Sequence, residues 1–464
     1  MKILLISPCK TTKTRRSKFI MIPQLALHLI GALTPPEHEV KVIEEEIEDI
    51  PFDDECDLVG ISCMTSNAPR GYRIAQEFRA RGKKVVMGGV HPTLLPNEAL
   101  RHADSVVIGE AEGVWRNLIK DAEKGRLQST YHKPSPSLDE YVPIRTRGSA
   151  KKRFFDIMPV MTTRGCPYGC EFCCVHDIFG RRIRHVPVPN VVRDIAESEG
   201  KFFLFLDDNI IGDQKYAKEL FRALIPLRIK WVGQASVSLV KDTDLIRLAV
   251  QSGCEALFFG IESVSETQAG AMRKSLKTTK ETEEAIRKVK DHGIYFHPSM
   301  IFGFDDDTRD TFPATLDFLM RNNISSASLN VLTPYPGTRT YQRMASEGRL
   351  LTDDWKYYNH TTVVFEPKTM SPFELQAGRL WVSTEFLKWG SLLKRLPHHL
   401  DHPFYHLFIN IGLRQSHKME FEMLPELASD LYGMDGEIFK RRSPLALRGF
   451  RFADVLPRRP AETE

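Results

Sequence analysis

Over residues 1–130, short apolar runs rich in Val and Ile alternate with stretches of helical spacing. Ile3–Ile6, Val40–Ile43, Leu58–Ser62, Val85–Met87 and Val106–Ile108 read as strands. Ile22–Leu33, Ala68–Arg81 and Val114–Lys124 read as the helices between them. Strands that are apolar at nearly every position are covered on both faces, so the pattern predicts a doubly wound parallel sheet. Ligands of such sheets bind at the strand carboxyl ends. That singles out the turns Ser62–Asn67, Gly88–Thr93 and Gly109–Glu112.

From Pro159 the alternation resumes with a longer period. Strands are expected at Val160–Thr163, Phe202–Leu206, Trp231–Ala235, Ala256–Gly260, Phe296–Ile301 and Ala327–Val331. Helices are expected at Val191–Glu197, Tyr216–Leu224, Leu245–Gln251, Glu281–His292 and Thr311–Met320. Six β/α units fall short of the eight that close a barrel, so a partial (β/α)6 barrel is the economical fold. Residues 131–153, with Pro134, Pro136, Pro143 and the basic Arg145–Arg153, lack periodicity and read as a linker. Beyond Thr338 the pattern changes again. Thr362–Phe365 is strand-like and Pro372–Leu396 is a long helical pattern, giving a mainly helical carboxyl-terminal region. The expected division is an α/β domain over 1–130, the linker, a barrel over 154–345 and a cap that carries substrate specificity over 346–464.

Composition excludes more than it identifies. With 64 Lys and Arg against 60 Asp and Glu, the net charge of +4 implies no nucleic-acid partner. The basic stretches Lys10–Lys18, Arg181–Arg184 and Lys440–Arg442 read as solvated faces. Phe19–Leu33 is too short and too polar to span a membrane, so no transmembrane segment is expected and the default location is cytoplasmic. Pro397–Gly412 mixes aromatic and His residues amphipathically, which suits a membrane-peripheral contact and a lipid substrate. The aromatic residues Trp355, Tyr357, Tyr358, Trp381, Phe386 and Trp389 read as core, and His398, His399, His402 and His406 as a solvated or packed surface.

The eight cysteines are unevenly placed, with Cys166, Cys170, Cys173 and Cys174 inside one short stretch. Cys9, Cys56, Cys63 and Cys254 are scattered and read as packing. The spacing C-x3-C-x2-C follows the first barrel strand, on a loop at its carboxyl end. No second C-x-x-C or H-x3-H pair with matching context occurs elsewhere, which disfavours a zinc site. Three thiolates at one iron–sulfur cluster leave an iron open to a further ligand. Cys174 is left between a fourth ligand and a packing residue. Asp207 and Asp208, at the end of an apolar strand, are expected to line the site or cap the following helix.

Thr162–Cys174 (TTRGCPYGCEFCC), with Phe172 before the third cysteine, resembles the signature of the radical S-adenosylmethionine (SAM) enzymes. The resemblance implies that Cys166, Cys170 and Cys173 hold a four-iron–four-sulfur (4Fe–4S) cluster and that SAM binds its open iron. It extends to Gly260–Ser263, which contains Glu262 and Ser263, and to Gln234 and Ser236 at the end of the third strand. It also extends to Ile301–Asp305, which contains Gly303, and to Pro334–Thr338. Asp305 stands where proline is common in the family. Of these, Glu262 is the favoured SAM contact, since a carboxylate at a barrel strand's carboxyl end faces the site.

A doubly wound domain before such a core resembles the cobalamin-dependent radical SAM family, over roughly residues 1–345. The matching segments are Gly88, Gly89, Val90, His91, Pro92 and Thr93, and Gly109, Glu110, Ala111 and Glu112. Met64, Thr65, Ser66 and Asn67 add small polar groups for the macrocycle's rim. The D-x-H-x-x-G motif is absent, so no lower axial ligand is assigned. The resemblance implies cobalamin as a cofactor and methyl transfer to an unactivated carbon. One SAM would be spent as methyl donor and another as the source of a 5′-deoxyadenosyl radical. It also implies an external flavodoxin- or ferredoxin-type reductant and a lipid or other small-molecule substrate. The alternatives are a non-methylating radical reaction on the same architecture (cyclisation, oxidation or carbon–carbon coupling), or an electron carrier or cobalamin sensor without SAM cleavage.

Overall fold

Two six-stranded parallel sheets carry the molecule, one after the other in the chain. A computed structural model describes residues 1–9, 22–139, 157–198, 200–265, 278–396 and 403–434. Lys10–Lys18, Arg145–Arg153, His398, His399, His402 and Lys440–Arg442 lie outside the described residues.

The first sheet holds β1 (Lys2–Ser7), β2 (Glu39–Glu44), β3 (Leu58–Ser62), β4 (Lys84–Gly88), β5 (Ser105–Ile108) and β6 (Thr130–His132) in the order β2-β1-β3-β4-β5-β6. One apolar layer packs Ile6, Val59, Ile61 and Met87 with Ile74 and Phe78 of the helix Ala68–Ala80. The other packs Ile3, Leu5, Leu58 and Val107 with Leu29 and Leu118 from the helices Leu25–Leu33 and Trp115–Glu123. Coverage of both faces explains why β1, β3, β4 and β5 lack the polar alternation that the edge strand β2 shows. The sixth strand straddles the boundary expected at residue 130, because Thr130 and the first two residues of the linker, Tyr131 and His132, pair with β5.

The second sheet holds β7 (Ile157–Val160), β10 (Phe202–Phe205), β11 (Lys230–Ala235), β12 (Cys254–Glu262), β13 (Tyr295–Phe302) and β14 (Ser328–Val331), in the order β14-β13-β12-β11-β10-β7. It is the open partial barrel. A two-stranded antiparallel ribbon, β8 (Thr163–Arg164) with β9 (Arg184–His185), rises from the end of β7. Phe203, Phe205, Trp231 and Phe259 are fully buried against the outer helices, whereas Leu204, Val232 and Phe258 are part-exposed. Gln234 is exposed although β11 has a neighbour on each side, so the inner face of the barrel is open.

The first barrel strand begins and ends three residues earlier than its apolar run suggests. Past Met161 the ladder gives way to one fully buried carboxylate. Asp207 accepts from the backbone N–H of Thr162 and Thr163 and from their hydroxyls at 2.7 and 2.6 Å. Asp207 therefore neither lines the site nor caps a helix. The cap of the helix Gln214–Leu224 is Asp213, which accepts from Lys215 and Tyr216.

In the carboxyl-terminal region, the expected helix over Pro372–Leu396 is broken by the extended Lys388 into Pro372–Leu387 and Trp389–Lys394. The strand-like Thr362–Phe365 contributes a single bridge, Leu350 to Phe365. A helix over Pro403–Tyr432 completes the layer. Trp355, Tyr357, Tyr358 and Phe386 are buried, as a core reading requires, while Trp389 is 54% exposed.

Candidate functional site

The cysteine loop starts where Asp207 holds the chain. Arg164 and the left-handed Gly165 lead into it. A Cβ on Gly165 would lie 2.9 Å from the Arg182 carbonyl, so the ribbon approaches too closely for any side chain there. Cys166, Cys170, Cys173 and Cys174 are all half-buried and form no disulfide. The turn is closed by the Cys173 N–H to the Cys170 carbonyl at 3.2 Å. A ring nitrogen of His176 lies 3.0 Å from the Cys166 carbonyl. Among the described residues, no three potential ligands are drawn together as a coordination set. What fits a cluster is the donor chemistry: three soft thiols on one loop at the sheet's carboxyl edge. Burial pushes the Cys173 thiol up to about 12 and Cys174 up to about 11. A nearby cation would offset that burial and favour the thiolate form. Asp208, beside them, is raised to about 6 by burial.

Later segments gather round this loop. Arg339 donates to the Gly169 carbonyl at 2.6 Å, and the Thr340 N–H donates to the Glu171 carbonyl at 3.1 Å. The P-x-P-G-T turn thus braces the cysteines, with Pro334 buried beneath and Thr338 capping the helix Arg339–Ser346. Phe172 meets Phe304 edge-on at 6.2 Å. Ser236 receives the Asn209 amide and lies 2.7 Å from Ser238, with the Tyr168 hydroxyl near both. Glu262 sits at a register shift in β12 with φ of +69°, a strained backbone for a non-glycine residue. Such strain gathers at functional sites. Ser263 accepts from the Ser265 N–H. Gly303 faces Leu375 and Phe365 of the carboxyl-terminal region, and its N–H donates to the buried Asp307. Asp305 pairs with Arg343, Arg349 and Lys368.

A cavity of about 750 Å³ opens at the carboxyl ends of β3, β4 and β5. That is the size of a small-molecule or cofactor site. Met64, Gly89, Thr93, Gly109, Glu110, Ala111 and Glu112 line it, together with apolar residues of the helix Leu25–Leu33. Gly89 has φ of +94°, and a Cβ there would lie 2.8 Å from the Cys63 carbonyl and the Ser62 hydroxyl. Thr93 donates to the Gly89 carbonyl and accepts from the Gly109 N–H, tying the two turns together. These glycine turns leave flat backbone facing the cavity, which fits a macrocycle.

Thr65, Ser66, Asn67, Gly88, His91 and Pro92 are not on the cavity wall. They shape the turns from behind. Asn67 accepts from the Met64 N–H and donates to the Pro8 carbonyl. His91 is fully buried, 3.3 Å from Glu98 and edge-on to Trp355. Contiguous stretches of sequence do not show which side chains of a tight turn face a ligand, and neighbours there point opposite ways.

The opposite wall of the cavity comes from the barrel: Met161, Arg164, Ile178, Phe179 and Val186. The guanidinium of Arg164 pairs with both Glu110 and Glu112, and Arg184 pairs with Glu110. Burial opposes the charge on Arg164, and the Glu112 and Glu110 carboxylates more than offset it, holding its pKa above the usual range. Arg184 thus departs from the solvated reading of its basic stretch. The only sequence signal for Arg164 was its place in T-T-R-G-C, a lone charge between a buried strand and a cysteine.

Comparison with known proteins bears on both halves. The Radical SAM superfamily matches residues 160–319 and the B12 binding domain matches residues 25–119. The chain is 31% identical over 408 residues to bacteriochlorophyllide d C-12(1)-methyltransferase of Chlorobaculum tepidum, covering 85% of this chain and 89% of that one. It belongs to the cobalamin-dependent radical SAM family. The enzymes of this family work with a 4Fe–4S cluster, SAM and cobalamin, and this chain is one of them. Hopanoid C-2 methylase of Rhodopseudomonas palustris is 25% identical, over 72% of this chain and 66% of that one. Among solved structures, the cobalamin-dependent SAM radical enzyme OxsB shares the fold with a TM-score of 0.67 at 16% identity, over 95% of this chain and 74% of that one. The methyltransferase TsrM of Kitasatospora setae does so at 0.63 and 18%, over 75% and 76%.

Proposed function

We propose that the chain transfers a methyl group to an unactivated carbon of a lipophilic small molecule. The observation that carries this reading is the shared wall. The turn that leads into the cysteines also closes the cobalamin-type cavity, so two cofactor sites meet within one short segment. When bound, the cluster with SAM supplies a hydrogen-abstracting radical, and cobalamin supplies a transferable methyl group. The chain's own residues do the rest. Cys166, Cys170 and Cys173 hold the cluster. Ser236, Asn209 and Glu262 offer polar groups to SAM at the strand ends. Phe172, against Phe304, keeps water from the loop. The part-exposed Leu204, Val232 and Phe258 give the barrel's inner face an apolar floor for substrate. The relatives named above are a bacteriochlorophyllide methyltransferase and a hopanoid methylase.

No helix among the described residues is long and apolar enough to cross a membrane. A peripheral contact is supported by the exposed Trp389, Leu393, Leu396, Leu407 and Ile411, on or beside two helices that also carry Lys394, Arg414 and Lys418. Such a face suits an anionic lipid surface. Sedimentation with phosphatidylglycerol vesicles but not phosphatidylcholine vesicles is expected; no binding to either removes the peripheral reading.

The decisive assay is anaerobic incubation of cluster- and cobalamin-loaded protein with SAM, a low-potential reductant of flavodoxin type, and a hopanoid or bacteriochlorophyllide. S-adenosylhomocysteine and 5′-deoxyadenosine should both accumulate. Deoxyadenosine without S-adenosylhomocysteine, with cobalamin bound, would sink methyl transfer. It would favour the non-methylating chemistry seen in a 25%-identical relative, the anaerobic magnesium-protoporphyrin IX monomethyl ester cyclase of Cereibacter sphaeroides.

A further inference from the structure

The four charged groups on the shared wall form a closed set. Arg164 reaches Glu110 with one end of its guanidinium and Glu112 with the other. Arg184 takes the remaining Glu110 oxygen, reaches the second at 3.1 Å, and donates to the Pro136 carbonyl at 2.8 Å. Arg164 and Arg184 are cross-strand partners in the β8–β9 ribbon, so both strands of the cysteine loop's root are tied to one turn of the cobalamin-type domain. Two cations and two anions cancel. Any one of them left alone in this burial would be strongly unfavourable, so the set holds only when both turns are docked. The planar fork of Arg can bridge two carboxylates at once, which the point charge of Lys cannot.

We propose that Arg164 is a positioning residue, a clasp that holds the cysteine loop at a fixed separation from the cobalamin cavity. Its loss would uncouple radical formation from methyl transfer. The inference rests on the reading that the loop takes the cluster and the cavity takes cobalamin. It touches neither reacting atom; it acts through the Gly165–Cys166 backbone and the Gly109–Glu112 turn.

The test uses the full chain and two substitutions, Arg164→Gln and Arg184→Gln. In cofactor-free protein, amide hydrogen exchange across residues 109–113 should quicken about ten-fold or more in Arg164→Gln, since the pair is broken on one side. In protein reconstituted anaerobically with iron, sulfide and hydroxocobalamin, and given SAM, a low-potential reductant of flavodoxin type and a hopanoid or bacteriochlorophyllide as methyl acceptor, the ratio of S-adenosylhomocysteine to 5′-deoxyadenosine should fall by about ten-fold. Spin relaxation of the cob(II)alamin signal by the reduced cluster should weaken in parallel. Arg184→Gln leaves Arg164 on both glutamates and should shift each readout the same way by a smaller factor; if Arg164→Gln fails to fold, this variant decides. Unchanged exchange, or an unchanged product ratio and relaxation, overturns the clasp. Wild-type protein that makes deoxyadenosine but no S-adenosylhomocysteine, with exchange behaving as expected, would instead overturn methyl transfer and leave the clasp standing.

Discussion

The two parallel sheets end their strands at a site by different chemistry. Within the first, the turns are shaped by glycine and tied to one another by neutral groups, Thr93 joining Gly89 to Gly109 and Asn67 closing the Met64 turn, while the glutamates of the Gly109–Glu112 turn reach across to the other sheet's arginines. In the second, the turns are tied by buried carboxylates. Asp207 holds Thr162 and Thr163, and Asp307 holds the N–H groups of Gly303 and Phe304 at 2.7 and 3.0 Å. The first arrangement leaves bare backbone around a cavity, suited to a large flat ligand. The second fixes a loop rigidly at the edge of an open face, suited to presenting thiols. The two should therefore fail separately, one by steric filling and the other by loss of donors or by titration.

The largest effect is expected from Cys173→Ala. Removing one of three thiols should abolish the cluster's visible absorption and bring deoxyadenosine formation to background, because no other cysteine of the loop has the required spacing. Cobalamin binding should survive, since Cys173 is not on the cavity wall. Loss of both cofactors together would break the claim that the sites are separable, and an unchanged absorption spectrum would remove Cys173 from the ligand set.

Gly89→Ala probes the other sheet. The added Cβ meets the Cys63 backbone, which cannot swing aside as a side chain would, at a φ that L-residues avoid. A cost of roughly 1–3 kcal/mol is expected, with cobalamin retention falling and cluster content unchanged. Denaturant unfolding and absorption spectra of the purified variant measure both. Retained cobalamin with reduced cluster would reverse the assignment of the two sites.

Much of this was legible in the sequence, for reasons that differ by element. Leu58–Ser62 forms where its apolar run lies, because β1 and β4 pair with it on both sides and its apolar residues are buried there. The first barrel strand did not, because a carboxylate more than forty positions away captures the amides that the run would have given to a ladder. The helix over Pro372–Leu396 kept its composition through a break that only the backbone of Lys388 reveals. The cysteine loop was readable because its information is local, three thiols at fixed spacing after a strand. The cavity was half readable. Glycine turns announce a close approach, but Arg164 and its two glutamates meet only through tertiary folding across more than fifty residues.

The smallest expected effect is a pH slope confined to the second sheet. Burial raises the Asp307 carboxyl from 3.8 to about 6, against the two backbone N–H donors that favour its charge. The folded protein therefore binds this proton more tightly than the unfolded chain does. Between pH 4 and 6 the native state holds the proton and the unfolded state has released it, so stability falls as pH rises through this window. It is greatest below about pH 4 and levels off above about 6. The linkage allows at most about 1.4 kcal/mol per pH unit. Asp307→Asn keeps an oxygen for Gly303 and Phe304 and has nothing to titrate. Urea unfolding of both proteins at pH 4, 5, 6 and 7 should show the wild type losing more stability across the window than the variant, with the two curves parallel above it. Equal slopes throughout would mean that Asp307 is ionised in the folded protein at all these values. The two amides would then outweigh burial, and the contrast between neutral and charged strand ends would be one of geometry alone.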